Sequence, residues 1–208
     1  MPDKTQILHG LTMLTGRFEA LAAIWHVAIL LLLAAWVWRR PSTRIMFGFF
    51  GLLLASVGAL AWWSRNPFNG IVFSALAAAF VYQAAKKPRP TETTKGVFFL
   101  LAGSARILFG LFYPHFVRTD SWLPYLVYAP IGLIPCPTLS LITGFFILQR
   151  GFGSKLMTVV VMAAGLFYAV FGIFRLGVTL DVGLLAGVIV LLIRFLTTKK
   201  PQPSAASK

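Results

Sequence analysis

The residues best suited to chemistry are a cysteine between two prolines and a few ionisable side chains inside apolar runs. Cys136 is the single cysteine of this 208-residue chain, and it lies between Pro135 and Pro137. A proline lacks an amide donor and its ring clashes with the preceding helical turn, so we expect the pair to interrupt a helix. Within a membrane, an interrupted backbone persists only where protein or a water-filled cavity satisfies its polar groups. The run therefore predicts a functional site but does not name an activity.

Cys136 has three interpretations. If Thr138 caps the helix that follows, the thiol lies at a positive helix end, which favours thiolate, metal or redox chemistry. The same helix end would suit an anionic ligand. Alternatively, the cysteine is a small packing residue in a tight turn. A single cysteine also excludes an intrachain disulfide and a multi-cysteine metal site.

Arg106 is an ionisable residue in the middle of an apolar run. Such a residue costs at least about 2.5–3.5 kcal/mol inside a bilayer and is usually paired within the protein. We expect its partner to be Asp181, which opens the last apolar run, or else Glu19. Arg106 would then contact an anion or substrate, or close a gate as an ion pair. Alternatively, it is a structural or snorkelling arginine.

Four side chains lie at a similar depth, about 16–21 Å from one membrane surface when counted along ideal helices. They are Arg106, His26, Cys136 and Tyr168. A shared depth suggests a pocket, while the direction of each side chain stays open. A lone histidine such as His26 is more often a hydrogen-bonded structural residue than a ligand. Since no spacing supports a metal site, we predict no metal, no cofactor and no catalytic residue.

The composition defines an integral membrane protein. Hydrophobic residues make up 58% of the chain and charged residues 12%, against roughly 45–50% and about 25% in soluble domains. The net charge of +14 lies in short clusters between apolar runs, which indicates membrane topology and not nucleic-acid binding. We predict an all-α bundle of about seven transmembrane helices, the fifth broken at the Pro-Cys-Pro motif. The seven apolar runs lie at about 20–38, 45–63, 70–85, 96–113, 122–149, 156–174 and 182–197.

The fifth run is too long for one straight crossing, since it would reach about 42 Å against a hydrocarbon core of about 30 Å. A break at the prolines leaves 122–134 as a half-helix, a re-entrant segment or a folded lid. Residues 1–19 carry apolar residues at helical spacing and predict an amphipathic helix at the membrane surface, or a frayed arm. Residues 20–198 form the predicted transmembrane domain, and 199–208 a disordered basic cytoplasmic tail.

Charge distribution predicts the orientation. Most lysines and arginines follow the first, third, fifth and seventh runs, so that side should be cytoplasmic and the N-terminus outside. Gly183 and Gly187 form a small-x-x-x-small step that is typical of close helix packing, within one chain or between copies. The expected partners are the lipid bilayer, a small solute or ion, and a second copy or another membrane protein.

Two sequence blocks keep a characteristic residue order. One runs from Gly132 to Thr138 and continues into Thr143–Leu148, and the other runs from Leu176 to Leu185. Together they resemble a family of bacterial multi-pass membrane proteins, the domain of unknown function 6064. The residues before Asp181 depart from the proline and acidic residue associated with the family. The resemblance implies a bacterial inner membrane and supplies no activity. It also implies importance for Pro135, Cys136, Pro137, Thr138, Asp181 and Gly183.

The predicted function is transport or binding of a small solute or ion at the broken helix, with Arg106 setting charge selectivity. The alternative is a non-catalytic accessory or sensor subunit that acts through helix–helix contacts. A membrane enzyme using Cys136 or His26 has only their shared depth in its favour, and the sequence carries no phosphate-loop, zinc-helix or serine-hydrolase motif. The ligand-binding or gating candidates are Arg106, Pro135, Cys136, Pro137, Thr138, Asp181 and His26.

Overall fold

The chain is a set of helices in a computed structural model that describes residues 3–86, 93–117 and 121–197. The all-helical prediction is confirmed over these residues, while the predicted tail at 199–208 lies outside them. The helices are α1 (Lys4–Arg17), α2 (Glu19–Trp38), α3 (Thr43–Trp63), α4 (Pro67–Ala85), α5 (Val97–Leu111), α6 (Tyr125–Tyr128), α7 (Pro135–Leu148), α8 (Lys155–Val170) and α9 (Asp181–Thr197).

Two further segments adjoin α8. The π-helix Phe171–Leu176 directly continues α8, and a turn of positive-φ residues, Arg150–Gly153, joins α7 to α8.

Four helical segments in the described part of the chain are long and apolar enough to cross a bilayer. They are α2, α3, α4 and the segment that α8 forms with its π-helix. Two further helices, α5 and α7, are apolar but shorter. Large apolar side chains on α2, such as Ile24 and Val37, are exposed on the outside of the bundle, as expected where helices face lipid. The membrane class therefore holds, whereas the predicted seven crossings are not confirmed.

The two prolines lie at the start of a helix and do not break one. Ile134 is the extended N-cap residue, Pro135 is the first residue of α7, and Pro137 lies in the same first turn. Amides in the first turn have no intrahelical partner, so prolines there lose no helical hydrogen bond. The expectation that both prolines cannot lie in a regular helix is therefore wrong. The chain is interrupted just upstream, in the turns of residues 129–134 that follow the single-turn helix α6.

α7 is the central helix of the bundle. Every residue of α7 except Cys136 is buried, as expected of a mainly apolar helix without charged residues. α5 crosses α7 at glycines: a Cβ atom added to Gly144 would lie 2.7 Å from the carbonyl oxygen of Gly103. A Cβ atom added to Gly110 would lie 2.7 Å from the carbonyl oxygen of Pro137. The backbones of α5 and α7 can approach this closely only because these positions lack side chains.

α1 is a helix that packs on the protein itself, so the frayed-arm alternative does not hold for it. Leu14 is buried in a cluster that also contains Tyr113 and Leu176, and the apolar residues one and two turns before Leu14 pack against the same cluster. The helix start is capped in both directions. Asp3 accepts a hydrogen bond from the Gln6 amide at 2.8 Å, and the Gln6 side chain accepts one from the Asp3 amide at 3.2 Å. A location at the membrane surface stays a prediction.

We expect Gly144→Ala to lower the free energy of unfolding by about 1–3 kcal/mol, because the new methyl group would press on the Gly103 carbonyl. The matched control is Gly48→Ala in α3, where nothing lies within 4 Å of an added Cβ atom. The control should be neutral, or stabilising by up to about 1 kcal/mol. Thermal unfolding of the purified variants in detergent makes the comparison. Equal stability of the two variants would contradict the close α5–α7 crossing.

Candidate functional site

The Asp181 carboxylate is the centre of a buried polar cluster. Asp181 is the first residue of α9, and only 1% of its surface is exposed. Its Oδ1 atom accepts a hydrogen bond from the Tyr113 hydroxyl at 2.8 Å. Its Oδ2 atom accepts one from the Cys136 thiol at 3.4 Å. Two proton-bearing groups from different parts of the chain thus converge on one buried carboxylate.

Tyr113 reaches Asp181 because α5 ends just before it. The helix ends at Leu111, and the residue before Pro114 is disfavoured in helical geometry. The Tyr113 side chain is fully buried, with its ring edge-on to Phe109 at 5.4 Å. The fourth apolar run, 96–113, ends on Tyr113, and the sequence predicted no role for this residue. The available signal was the tyrosine–proline pair at the end of the run that contains Arg106.

The π-helix forms the wall on the other side of the carboxylate. A Cβ atom added to Gly172 would lie 1.7 Å from Asp181 Oδ2, so the acid packs directly on the Gly172 backbone. The π-helix ends at Gly177 in the left-handed conformation (φ 67°), and the Val178 amide donates back to the Gly172 carbonyl at 2.9 Å. Single π-turns inside α-helices occur frequently at functional sites. No feature of the sequence marked Gly172, because the local pattern is that of an ordinary helix.

The environment of Cys136 contradicts two of its three interpretations, namely thiolate chemistry and an anion-binding helix end. Thr138 does not cap α7: its hydroxyl accepts from the Gly132 amide at 2.9 Å and donates to the Ile134 carbonyl at 2.8 Å. The thiol donates to a carboxylate and therefore retains its proton, which opposes thiolate chemistry. The helix end is also a poor anion site, since prolines at the first and third positions of α7 remove two amide donors.

Arg106 does not form the expected ion pair. The guanidinium of this buried residue donates to the backbone carbonyl of Gly183, and the expected partners Asp181 and Glu19 do not accept it. The guanidinium also lies over the Phe109 ring, 4.3 Å from its centre, where cation–π attraction helps to offset lost hydration. Arg106 thus reaches the same end of α9 as Asp181, through a neutral acceptor two residues further along the helix.

The glycine step of α9 makes room for Arg106. A Cβ atom added to Gly187 would lie 2.5 Å from Arg106 Cδ, and one added to Gly183 would lie 2.9 Å from Phe109 Cζ. The small-x-x-x-small step therefore serves packing within the chain. Because Gly183 and Gly187 pack within the chain, they no longer support contact with a second copy.

The histidines lie apart from the carboxylate. His26 is buried, with Nδ1 3.0 Å from the Ala22 carbonyl and Nε2 2.8 Å from the Leu111 carbonyl, so it ties α2 to the end of α5. His115 packs on the Phe116 ring, and burial lowers the pKa of its imidazole. Among the described residues, no group of three or more His, Cys, Asp or Glu side chains could hold a metal ion.

Comparison with known proteins adds no functional assignment. No protein family, no curated protein and no solved structure matches the chain. The resemblance of the Pro135 and Asp181 regions to the domain of unknown function 6064 therefore stays a prediction.

We expect Tyr113→Phe to lower the free energy of unfolding by about 1–3 kcal/mol, because it removes a donor from a buried carboxylate. Tyr168→Phe is the matched control, since the Tyr168 hydroxyl donates to the neutral side-chain oxygen of Asn69 at the same distance of 2.8 Å. The control should cost about 0.5–1.5 kcal/mol. Unfolding in detergent, followed by tryptophan fluorescence, measures both losses. A smaller loss for Tyr113→Phe than for Tyr168→Phe would show that the carboxylate does not depend on this bond.

Proposed function

We propose that the chain is a multi-pass membrane protein that binds a small ion at the buried Asp181 carboxylate and transports it. The observation that carries the proposal is this carboxylate itself, which is 1% exposed in a chain with four helices able to cross a bilayer. Ionisable groups inside membrane bundles are costly and commonly mark ion pathways or proton relays. The stability cost of burying Asp181 is more readily understood if its carboxylate has a role in transport.

The neighbours of Asp181 support an ion site more than a site for a large solute. Both carboxylate oxygens already accept hydrogen bonds, and the Gly172 backbone closes the side next to Oδ2. Arg106 adds a positive charge at the same end of α9, where it can set charge selectivity. These features suit a ligand that needs little space and responds to charge.

For the topology, we propose seven crossings in a bacterial inner membrane, with the N-terminus outside and the C-terminus cytoplasmic. The shorter helices α5, α7 and α9 would make three of the crossings, since local bilayer thinning accommodates short apolar segments at modest cost. The Pro135 end of α7 and the start of α9 would then lie toward the outer surface. Asp181 would receive its ion from outside.

The accessory-subunit alternative loses its most specific support. Gly183 and Gly187 pack on Arg106 and Phe109 of the same chain, so they do not present a free surface to a partner helix. The exposed apolar faces of the bundle are sufficiently explained by lipid. A transport function is therefore preferred.

The test of the proposed function is ion flux in vesicles. We expect purified protein in proteoliposomes to carry at least one of H⁺, Na⁺ and K⁺ above the rate of empty vesicles, and Asp181→Asn to lose that flux. The matched control is Glu19→Gln, which neutralises an exposed acid at the start of α2 and should retain the flux. Ion-sensitive dyes trapped inside the vesicles report each ion separately. No flux of any of the three cations, or equal flux in Asp181→Asn, would contradict the proposal.

A further inference from the structure

A row of small polar side chains extends from Asp181 along one face of α7. Cys136, Ser140 and Thr143 are spaced four and three residues apart, so they share a face of the helix. We call these three residues the α7 polar face. It covers about 10 Å along the helix axis. It begins at the thiol that donates to Asp181 and continues into the interior of the bundle.

Two hydroxyls of the α7 polar face have no partner. Ser140 and Thr143 are both fully buried, and neither side-chain oxygen has a hydrogen-bond partner within the described residues. Serine and threonine inside helices can bond back to the carbonyl one turn earlier, yet these two do not. Buried polar groups are normally satisfied by protein or by ordered water, so this face of α7 carries two hydroxyls that protein does not satisfy within the described residues.

The surroundings of Thr143 combine glycine backbone, the Arg106 side chain and an apolar side chain. Thr143 Cγ2 lies 3.5 Å from the position of a Cβ atom on Gly187, and its Oγ1 lies 3.9 Å from that of a Cβ atom on Gly165. Arg106 packs on the same Gly187, and Val188 packs on Gly165. Thr143 and Arg106 therefore meet at Gly187, where the α7 polar face ends.

We propose that the ion bound at Asp181 is a proton, and that water held along the α7 polar face relays it between Asp181 and Thr143. This inference rests on the proposed function. Metal cations need several oxygen ligands, whereas no second carboxylate joins Asp181 within the described residues. The Asp181 oxygens are already contacted by Tyr113 and Cys136. A proton needs only one lone pair on a carboxylate oxygen.

The proposed step is a simple proton transfer. A hydronium ion gives a proton to the Asp181 carboxylate, which leaves water and a neutral carboxyl group. The carboxyl group then gives the proton to water held by Ser140 and Thr143, which becomes hydronium as the carboxylate is restored. In each transfer one O–H bond breaks and one forms, and no group is oxidised or reduced. The titratable and charged groups adjoining this path are Tyr113 after α5, Arg106 on α5, Cys136 on α7 and Tyr168 on α8.

The test compares proton flux in variants of the α7 polar face. Ser140→Ala and Thr143→Val each remove one unpartnered hydroxyl while nearly retaining its volume. Both variants should fold, since replacing an unpaired buried polar group by an apolar group is neutral or stabilising. Thr197→Val is the control, because the Thr197 hydroxyl is exposed and bonded to the Ile193 carbonyl at the far end of α9. Dye-reported proton uptake, driven by a potassium diffusion potential, gives the rate for each variant.

The expected result is a loss of proton flux of about tenfold in Thr143→Val and in Ser140→Ala, with Thr197→Val unchanged and no uptake of Na⁺ or K⁺ by the unmodified protein. Proton flux in Thr143→Val and Ser140→Ala equal to that of Thr197→Val would overturn the relay. Flux of Na⁺ or K⁺ that depends on Asp181, without proton flux, would overturn the inference but leave the proposed function intact. Absence of any ion flux would overturn both.

Discussion

Burial of the Asp181 carboxylate is the constraint on which the arrangement of the helix ends depends. An acid this enclosed requires donors, and they come from the loop after α5 through Tyr113 and from the start of α7 through Cys136. The donors can reach it only because α5 ends at Leu111 and α7 begins at Pro135. The termini of three helices are thus positioned around one side chain, and the contacts that stabilise the bundle also define its candidate site.

Glycine makes this convergence sterically possible. The carboxylate packs on Gly172, Arg106 packs on Gly187, and α5 crosses α7 through Gly110 and Gly144. In an apolar solvent helices associate mainly through close packing, so residues without side chains decide where backbones meet. Polar groups then occupy the narrow space between the helices, where lipid cannot reach. Around Asp181, the glycines that allow close helix packing therefore also leave space for the buried polar side chains.

The apolar cluster that contains Tyr113 lies next to the candidate site. α1 packs Leu14 into the cluster that contains Tyr113, so an N-terminal amphipathic helix covers one end of the buried polar groups. Cys136 is the one residue of α7 that keeps some exposure. A water path to Asp181 would pass close to this thiol, between the start of α7 and the elements that surround it.

The sequence by itself determined the membrane class and the approximate helix ends, because apolar length, charge clusters and proline position are local properties of a chain. It also singled out Cys136 and Asp181, which the structure brings into contact. It misjudged the prolines, because their effect depends on whether they fall inside a helix or in its first turn. The roles of Tyr113 and Gly172 and the true partner of Arg106 were decided only in the tertiary structure. Tyr113 and Asp181 are 68 residues apart, and their contact depends on how each helix is rotated about its axis. That rotation is set by packing against neighbouring helices, which no single stretch of sequence specifies.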